Sequence, residues 1–165
     1  MKIKNKFIIL GSITFLLCII FLLPLPQRIN IEFPALLYDN TDISYILSMQ
    51  IWKLNYLFKT DEIIPEIKLY SENNLIFDNS SNKIKTTIYK FPSHNKVNNI
   101  EYISFYYYNS YKNKMDTANL WFDSDKSYFV FVTDNLTYIA PAKSKQDIDN
   151  IINYFRINNI NLTVD

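Results

Sequence analysis

The first 27 residues constrain this chain most, because they have the pattern of a segment that crosses a membrane. Three lysines precede an uncharged apolar run, Phe7–Leu23, and two prolines follow it. A helix that crosses a bilayer needs about 20 apolar residues, with a lower limit near 17. The run therefore predicts a transmembrane signal anchor. It divides the chain into a membrane part, residues 1–27, and a domain, residues 28–165.

A cleaved signal peptide is the alternative interpretation of the same segment. Such a peptide has an apolar core of roughly 7 to 15 residues and a small residue at its cleavage site. Residues 22–28 contain no small residue, so an uncleaved anchor is favoured. Lysine-rich flanks stay in the cytoplasm, and Lys2, Lys4 and Lys6 all precede the run. We therefore expect a single-pass cell-membrane protein with a cytoplasmic N-terminus and an extracytoplasmic domain.

Charge and cysteine usage limit the classes of protein that the outer domain can join. All 16 acidic residues lie after position 30, whereas four of the 17 basic residues precede it. The domain therefore lacks the basic excess typical of nucleic-acid binding. The single cysteine, Cys18, lies in the apolar run, so the domain cannot form an internal disulfide. Because small extracellular eukaryotic domains usually rely on disulfides, a bacterial cell envelope is the expected setting.

Glycine is missing from the domain, since Gly11 is the only one in the chain. This excludes glycine-rich phosphate loops, the dinucleotide fingerprint and the nucleophile elbow of many hydrolases. Turns with positive φ must then use residues that tolerate that region next best, above all Asn and Asp. The candidate turn positions are Asn73–Asn74, Asp78–Asn79, Asn98–Asn99 and Asn158–Asn159.

Alternating apolar and polar residues predict an antiparallel sheet over most of the domain. The stretch Ile43–Phe58 also fits one face of a helix, but the aromatic residues near its end favour a strand. Pro65 is expected at a strand start or on a sheet edge. The predicted strands are Arg28–Phe33, Ser44–Phe58, Ile64–Tyr70, Lys83–Phe91, Ile100–Tyr108, Thr117–Asp123, Ser127–Thr133, Leu136–Ala140 and Ile160–Val164.

A C-terminal helix is predicted from Lys145 to Arg156. Ser144 and Asp147 have the spacing of a capping box, with Asp in place of Glu. The apolar residues that follow recur at helical spacing and form one face, namely Ile148, Ile151, Ile152 and Phe155. The expected fold class is mainly β (α+β), with an N-terminal transmembrane helix, an antiparallel sheet and this helix packed on it.

Aromatic residues concentrate between positions 102 and 131 and give the one candidate binding surface. On a strand, Tyr102, Tyr106 and Tyr108 share one face, and Trp121 lies on the next predicted strand. These four residues could form an exposed aromatic platform. The alternative, which stays open, is a sheet covered on both sides or tyrosines that are half-buried with hydrated hydroxyl groups.

Other polar residues give weaker signals. The only histidine, His94, is expected in a solvated loop, since a zinc site needs several His or Cys ligands. Asp123 and Asp125, with Asp116 and Asp134 as further oxygen donors, could bind calcium. A charged hairpin tip is the favoured interpretation of Asp123 and Asp125. No catalytic residue, metal site or cofactor is predicted.

The sequence therefore favours a non-enzymatic, membrane-anchored accessory or binding protein of a bacterial cell envelope. It would contact an envelope protein or glycan through its aromatic sheet surface. The alternative is a hydrolase of envelope polymers that uses carboxylates such as Asp123, Asp125 or Glu62, because paired carboxylates can cleave glycosidic bonds.

Overall fold

The structure, a computed structural model, describes residues 11–16, 23–57, 59–81, 83–92, 99–109, 112–160 and 162. Residues 11–16 are helical, ten strands follow, and the last element is a helix, Lys145–Ile157. The strands are β1 (Leu25–Leu37), β2 (Ser44–Asn55), β3 (Glu62–Ser71), β4 (Asn74–Asp78), β5 (Thr86–Thr87), β6 (Tyr89–Pro92), β7 (Asn99–Asn109), β8 (Lys114–Asp123), β9 (Phe129–Thr133) and β10 (Leu136–Ala140).

The strands form one antiparallel sheet in the order β4-β3-β2-β1-β10-β9-β8-β7-β6. Most neighbouring strands in the sheet also follow one another along the chain. The exception in this order is β1 with β10, which are far apart in sequence and pair at Leu36 and Ile139. Residues 86–92 run from one side of the sheet to the other, since β5 pairs with β3 and β6 pairs with β7. The sheet therefore curves round on itself and encloses its inner face.

The inner face holds the main core. Alternate residues of β2 are buried, as are alternate residues of β7, which is the period of two that a strand imposes. Aromatic rings pack edge to face at the centre, where Phe77 lies 4.8 Å from Tyr107 and 5.0 Å from Phe131 between ring centroids. Such pairs add stabilisation beyond the area they bury. The mainly-β prediction is confirmed, and Ser44–Asn55 is a strand along its whole length.

Two prolines lie inside strands without breaking the sheet. Pro34 lies opposite Ile46 of β2, and its carbonyl accepts a hydrogen bond from the Ala142 N–H on the other side. The ring nitrogen of Pro34 points to that same side, where β1 has no ladder partner until Leu36.

Pro65 is the fourth residue of β3, so the strand-start alternative is wrong. The edge alternative holds locally, because on the side away from β2 the strand pairs with β5 only at Glu62 and Ile63 and with β4 only from Lys68 onward. The carbonyl of Pro65 points away from β2, into the gap between β4 and β5. Its ring nitrogen points to the same side, so the missing N–H removes no hydrogen bond to β2.

The side chain of Asn79 fills that gap in the ladder. Its amide Nδ2 donates to the Pro65 carbonyl at 3.0 Å, and its Oδ1 accepts from the Ile67 N–H at 2.6 Å. The Asn79 backbone N–H also donates to the Ile67 carbonyl at 3.2 Å. The residue is buried. One amide group thus replaces a missing strand partner for β3.

We expect Asn79→Ala to lower the free energy of unfolding by about 1–3 kcal/mol, because it leaves buried backbone groups of Pro65 and Ile67 without partners. Urea denaturation measures this loss. The exposed Asn74 is the matched control, and Asn74→Ala should change stability by less than about 0.5 kcal/mol. Equal effects of the two substitutions would show that the Asn79 amide has no special role.

Positive-φ turns use Asn as predicted in two places. Asn73 and Asn159 have φ of 68° and 62°, whereas neither Asp78 nor Asn79 is in this region. The hairpin between β9 and β10 also turns through two positive-φ residues, Asp134 and Asn135. Such pairs suit two-residue hairpins, because their twist matches that of the flanking strands.

The C-terminal helix packs on the outer face of the sheet. Its predicted apolar residues are all buried, against a cluster that includes Val130, Ile139 and Leu36. The capping box is confirmed in part: the Ser144 hydroxyl accepts from the Asp147 N–H at 3.2 Å, whereas the Asp147 carboxylate accepts from the Lys143 N–H at 2.9 Å. The helix therefore covers β9, β10 and the end of β1.

Several local predictions differ from the structure. Strand β1 runs from Leu25 to Leu37 and so extends the predicted strand Arg28–Phe33 at both ends. The predicted strand Lys83–Phe91 is two short strands, because Ile88 between them turns into the core as the chain crosses from β3 to β7. Strand β4 was not predicted. Of the predicted strand Ile160–Val164, only residues 160 and 162 are described, and neither is in a strand.

The proposed anchor is only partly covered by the structure. Of Phe7–Leu23, residues 7–10 and 17–22 lie outside the described residues. Within the part that is described, no helix has the length and apolar character needed to span a bilayer. The transmembrane helix therefore stays a prediction from the sequence.

Candidate functional site

Aromatic side chains line the outer face of β6, β7 and β8, beyond the sheet area that the helix covers. Tyr89, Tyr102 and Trp121 occupy directly opposed positions on these three strands. The ring centroids of Tyr102 and Trp121 are 4.2 Å apart, and Tyr89 lies 6.1 Å from Tyr102. Phe91 packs 5.6 Å from Trp121. Four rings thus form one contiguous row.

Two of these rings are held by the surrounding structure. The Tyr102 hydroxyl donates to Asn119 Oδ1 at 2.8 Å, and Trp121 packs against the core cluster beneath the helix. Both residues are half-buried. The accessible part of the row is supplied by Tyr89, which is 54% exposed, and by the edge residue Phe91.

Tyr106 and Tyr108 extend the same face toward the other end of β7. They are 61% and 51% exposed. The Tyr108 hydroxyl donates to Asn113, which fixes the direction of that ring. The alternate residues Ile103, Phe105 and Tyr107 point inward, and all three are buried. We call the outer set, Tyr89, Phe91, Tyr102, Tyr106, Tyr108 and Trp121, the outer aromatic surface.

All four predicted binding residues thus lie on one outer face, but only Tyr102 and Trp121 are in ring contact. Sequence reasoning missed Tyr89 and Phe91. Their alternation within the predicted strand Lys83–Phe91 was visible. Their position beside Tyr102 depends on how β6 pairs with β7, which no local pattern gives.

Asp123 ends β8 and organises the turn to β9. Its Oδ1 accepts backbone hydrogen bonds from Ser127 at 2.7 Å and from Tyr128 at 2.8 Å. Burial raises the pKa of the Asp123 carboxyl above its ordinary value; these two bonds act in the opposite direction and the nearby Asp125 adds to the rise. The geometry fits the predicted hairpin-tip role of this residue.

The raised pKa of Asp123 has a defined sign in the pH dependence of stability. As pH rises above the ordinary carboxyl pKa near 4, the unfolded chain releases this proton first, so the Asp123 contribution to stability falls with rising pH. Asp123→Asn retains an oxygen for both backbone donors and removes the titration. We expect the stability of the variant relative to the natural protein to rise between about pH 4 and 7.

Urea denaturation at a series of pH values measures this difference. Asp42→Asn is the matched control, since Asp42 is an exposed aspartate in the loop before β2, away from this turn. A constant stability difference between the Asp123→Asn variant and the natural protein across this range would contradict the assignment.

Glu62 is surrounded by cations at the turn between β2 and β3. It accepts from the Lys59 ammonium and from the Tyr56 hydroxyl, the latter at 3.0 Å, and Lys85 lies 3.9 Å away. The Lys59 hydrogen bond, followed by that of Tyr56, lowers the pKa of Glu62. A carboxylate held in its charged form in this way is a poor proton donor.

Asp61 lies beside this turn, at a shallow recess that Ile88 and Lys90 also line. Its carboxylate accepts from the Lys90 ammonium at 2.6 Å and from the Tyr56 N–H at 3.0 Å. Burial alone would raise the pKa of Asp61, but these two bonds together hold it below its ordinary value.

The acidic residues considered for calcium do not assemble. Asp116 and Asp134 both contact Lys112, at 3.3 and 2.6 Å, near the hairpins at the other end of β8. Asp123 lies at the opposite end of that strand. Across the described parts of the chain, no three His, Cys, Asp or Glu residues cluster closely enough to hold a metal ion. His94 lies outside the described residues.

Comparison with known proteins gives no relative: the chain matches no protein-family model, no curated protein and no solved structure.

Proposed function

We propose that the chain is a membrane-anchored binding protein of a bacterial cell envelope, which contacts its partner through the outer aromatic surface. The observation that supports this most is the exposure of Tyr89, Tyr106 and Tyr108 on the outer face of the sheet, beyond the area that the helix covers. Large exposed apolar patches on a folded protein mark interaction sites.

The rings suit recognition for two physical reasons. Tyrosine on a strand presents a large contact area with few rotatable bonds, so little conformational entropy is lost on binding. Each ring also carries a hydroxyl group beside its apolar face, and Asn113 and Asn119 place amide groups next to Tyr108 and Tyr102. Flat apolar faces bordered by hydrogen-bonding groups can accept the sugar rings of an envelope glycan or the side chains of an envelope protein.

The carboxylates of the alternative hydrolase are engaged in other contacts. Asp123 binds two backbone N–H groups of its own turn, and Glu62 is paired with Lys59 and Tyr56. No observation on the described residues favours hydrolysis over binding, so the binding function is the one we carry forward.

Replacing Tyr89, Tyr106 and Tyr108 by alanine together should weaken binding to isolated cell walls or envelope membranes at least about tenfold, because truncating even one aromatic hot-spot residue costs about 2 kcal/mol and a tenfold change in affinity is about 1.4 kcal/mol. Co-sedimentation with each preparation measures the affinity and separates a wall polymer from a membrane protein. Trp121 is left intact, since it also packs against the core cluster beneath the helix and therefore has a structural role as well.

Ile46 provides the matched control for this experiment. It is an exposed apolar residue on the outer face of β2, a different part of the sheet. Ile46→Ala should leave co-sedimentation unchanged. Unchanged binding by a folded triple variant would overturn the proposed role of the outer aromatic surface.

A further inference from the structure

The end of the sheet that follows the apolar N-terminal segment carries its own exposed apolar residues. Strand β1 begins at Leu25, two residues after the end of Phe7–Leu23. Two residues span at most about 7 Å. Leu25 lies opposite Asn55, the last residue of β2, and the Asn55 side chain donates to the Leu25 carbonyl at 3.3 Å. The turn that follows β2 therefore lies beside the point where the chain enters the sheet.

Three leucines are exposed at this end. Leu23 and Leu25 are 57% and 64% exposed, and Leu57, in the turn between β2 and β3, is 57% exposed. The turn is held in place, because the Tyr56 N–H donates to Asp61 Oδ1 at 3.0 Å. Leu57 is thus presented outward by a defined backbone structure.

Cations stack on aromatic rings beside these leucines. The Arg28 guanidinium lies 5.4 Å from the centroid of the Trp52 ring, and the Lys59 ammonium lies 4.9 Å from that of Tyr56. Trp and Tyr are enriched at membrane–water interfaces, and the long stems of Lys and Arg lie along apolar surface while their charges stay hydrated.

The net charge of this end also fits an anionic surface. The basic residues here are Arg28, Lys59, Lys85 and Lys90, and the acidic residues paired with the three lysines are Asp61 and Glu62. Among the described residues near the turn, cations therefore outnumber carboxylates. Basic groups close to a membrane are attracted to anionic lipids.

We propose that this juxtamembrane end docks on the bilayer itself, with Leu25 and Leu57 at the boundary of the acyl chains and the cation–aromatic pairs at the headgroups. The occupant is the lipid surface because the preceding apolar segment ends only two residues before β1. This inference rests on the proposed membrane attachment through Phe7–Leu23. Docking would fix the tilt of the domain and hold the outer aromatic surface at a set height.

The test uses the full chain in vesicles of phosphatidylcholine with one quarter phosphatidylglycerol. Cys18→Ser removes the only cysteine, and Leu57→Cys then takes an environment-sensitive fluorophore. Leu136→Cys is the matched control, since Leu136 is an exposed leucine in the hairpin between β9 and β10, at the other end of β1. We expect the Leu57 label to emit at shorter wavelength and to be quenched at least about twofold more by lipids with spin labels near the headgroup.

Flotation of the same vesicles separates the two proposals. Protein that does not float with vesicles overturns the membrane attachment and, with it, the docking. Protein that floats while the Leu57 and Leu136 labels behave alike overturns the docking alone. Both labelled variants should have the same unfolding temperature as the natural protein, which checks that the exposed substitutions leave the fold intact.

Discussion

Replacing Lys53 by methionine is expected to lower the free energy of unfolding by about 3–5 kcal/mol, because it leaves the Glu101 carboxylate buried without its cation. The two side chains meet inside the curved sheet, from β2 and β7, with Nζ–O distances of 2.8 and 3.2 Å. Both residues are almost fully buried. Met retains most of the volume of Lys, so the loss reports charge and hydrogen bonding more than packing.

The double variant Lys53→Met/Glu101→Leu should recover most of that stability, since a buried ion pair can often be replaced by apolar residues at little cost or with a gain of about 1–4 kcal/mol. Lys145 and Asp149 form the matched exposed pair, at 3.5 Å on the helix surface. Lys145→Met should change stability by less than about 0.5 kcal/mol. Urea denaturation of all three variants gives these values. A loss below about 1 kcal/mol for Lys53→Met would show that the pair is hydrated.

The second large effect is expected at the helix. Phe155 is fully buried where the helix packs on the outer face of the sheet. Phe155→Ala should cost about 3–5 kcal/mol, from the lost burial and the cavity that remains. A 13-residue helix is marginal in water without its packing. In the Phe155→Ala variant, we therefore also expect the amide hydrogens of the helix to exchange faster than the amide hydrogens of β7.

Ile157 gives the control for this prediction, since it lies on the same helix and is 66% exposed. Ile157→Ala should leave stability within about 0.5 kcal/mol of the natural protein. Hydrogen exchange followed by mass spectrometry, together with urea denaturation, distinguishes the two variants. Comparable losses from both would mean that the helix does not depend on its inner face.

Local patterns predicted much of this fold. Strand alternation correctly placed Tyr102, Tyr106 and Tyr108 together on one face of β7, and the helical spacing of Ile148 and Phe155 gave the packed face of the helix. These predictions succeed because the period of buried residues is set by the backbone geometry of each element. Ser44–Asn55 was ambiguous from its own sequence, and pairing on both sides, with β1 and β3, decides it.

Features that depend on distant parts of the chain were not predictable in this way. The pairing of Leu36 with Ile139 joins residues far apart in sequence. The Lys53–Glu101 contact exists only once the sheet has curved round. Asn79 looked like a turn residue, and its role as a substitute strand partner follows from the gap between β4 and β5.

The candidate site also has a part that local patterns predicted and a part that depends on distant pairing. Tyr102, Tyr106 and Tyr108 could be assigned to one face from strand alternation, whereas the addition of Tyr89 and Phe91 required the pairing of β6 with β7. Trp121 was predicted on the same surface, yet its contact with the helix cluster makes it partly structural. Exposure of a ring depends on which neighbours cover it, and the local pattern along one strand does not show those neighbours.

Protease treatment of intact cells that express a C-terminally tagged protein tests the central claim most directly. A membrane-anchored extracytoplasmic domain predicts that the tag stays with the membrane fraction and is removed by protease added outside the cells. A tag that is protected in intact cells, yet cut after lysis, would contradict the proposed orientation. A tag that is released into the medium would contradict the anchor, and Phe7–Leu23 would then be a cleaved signal peptide.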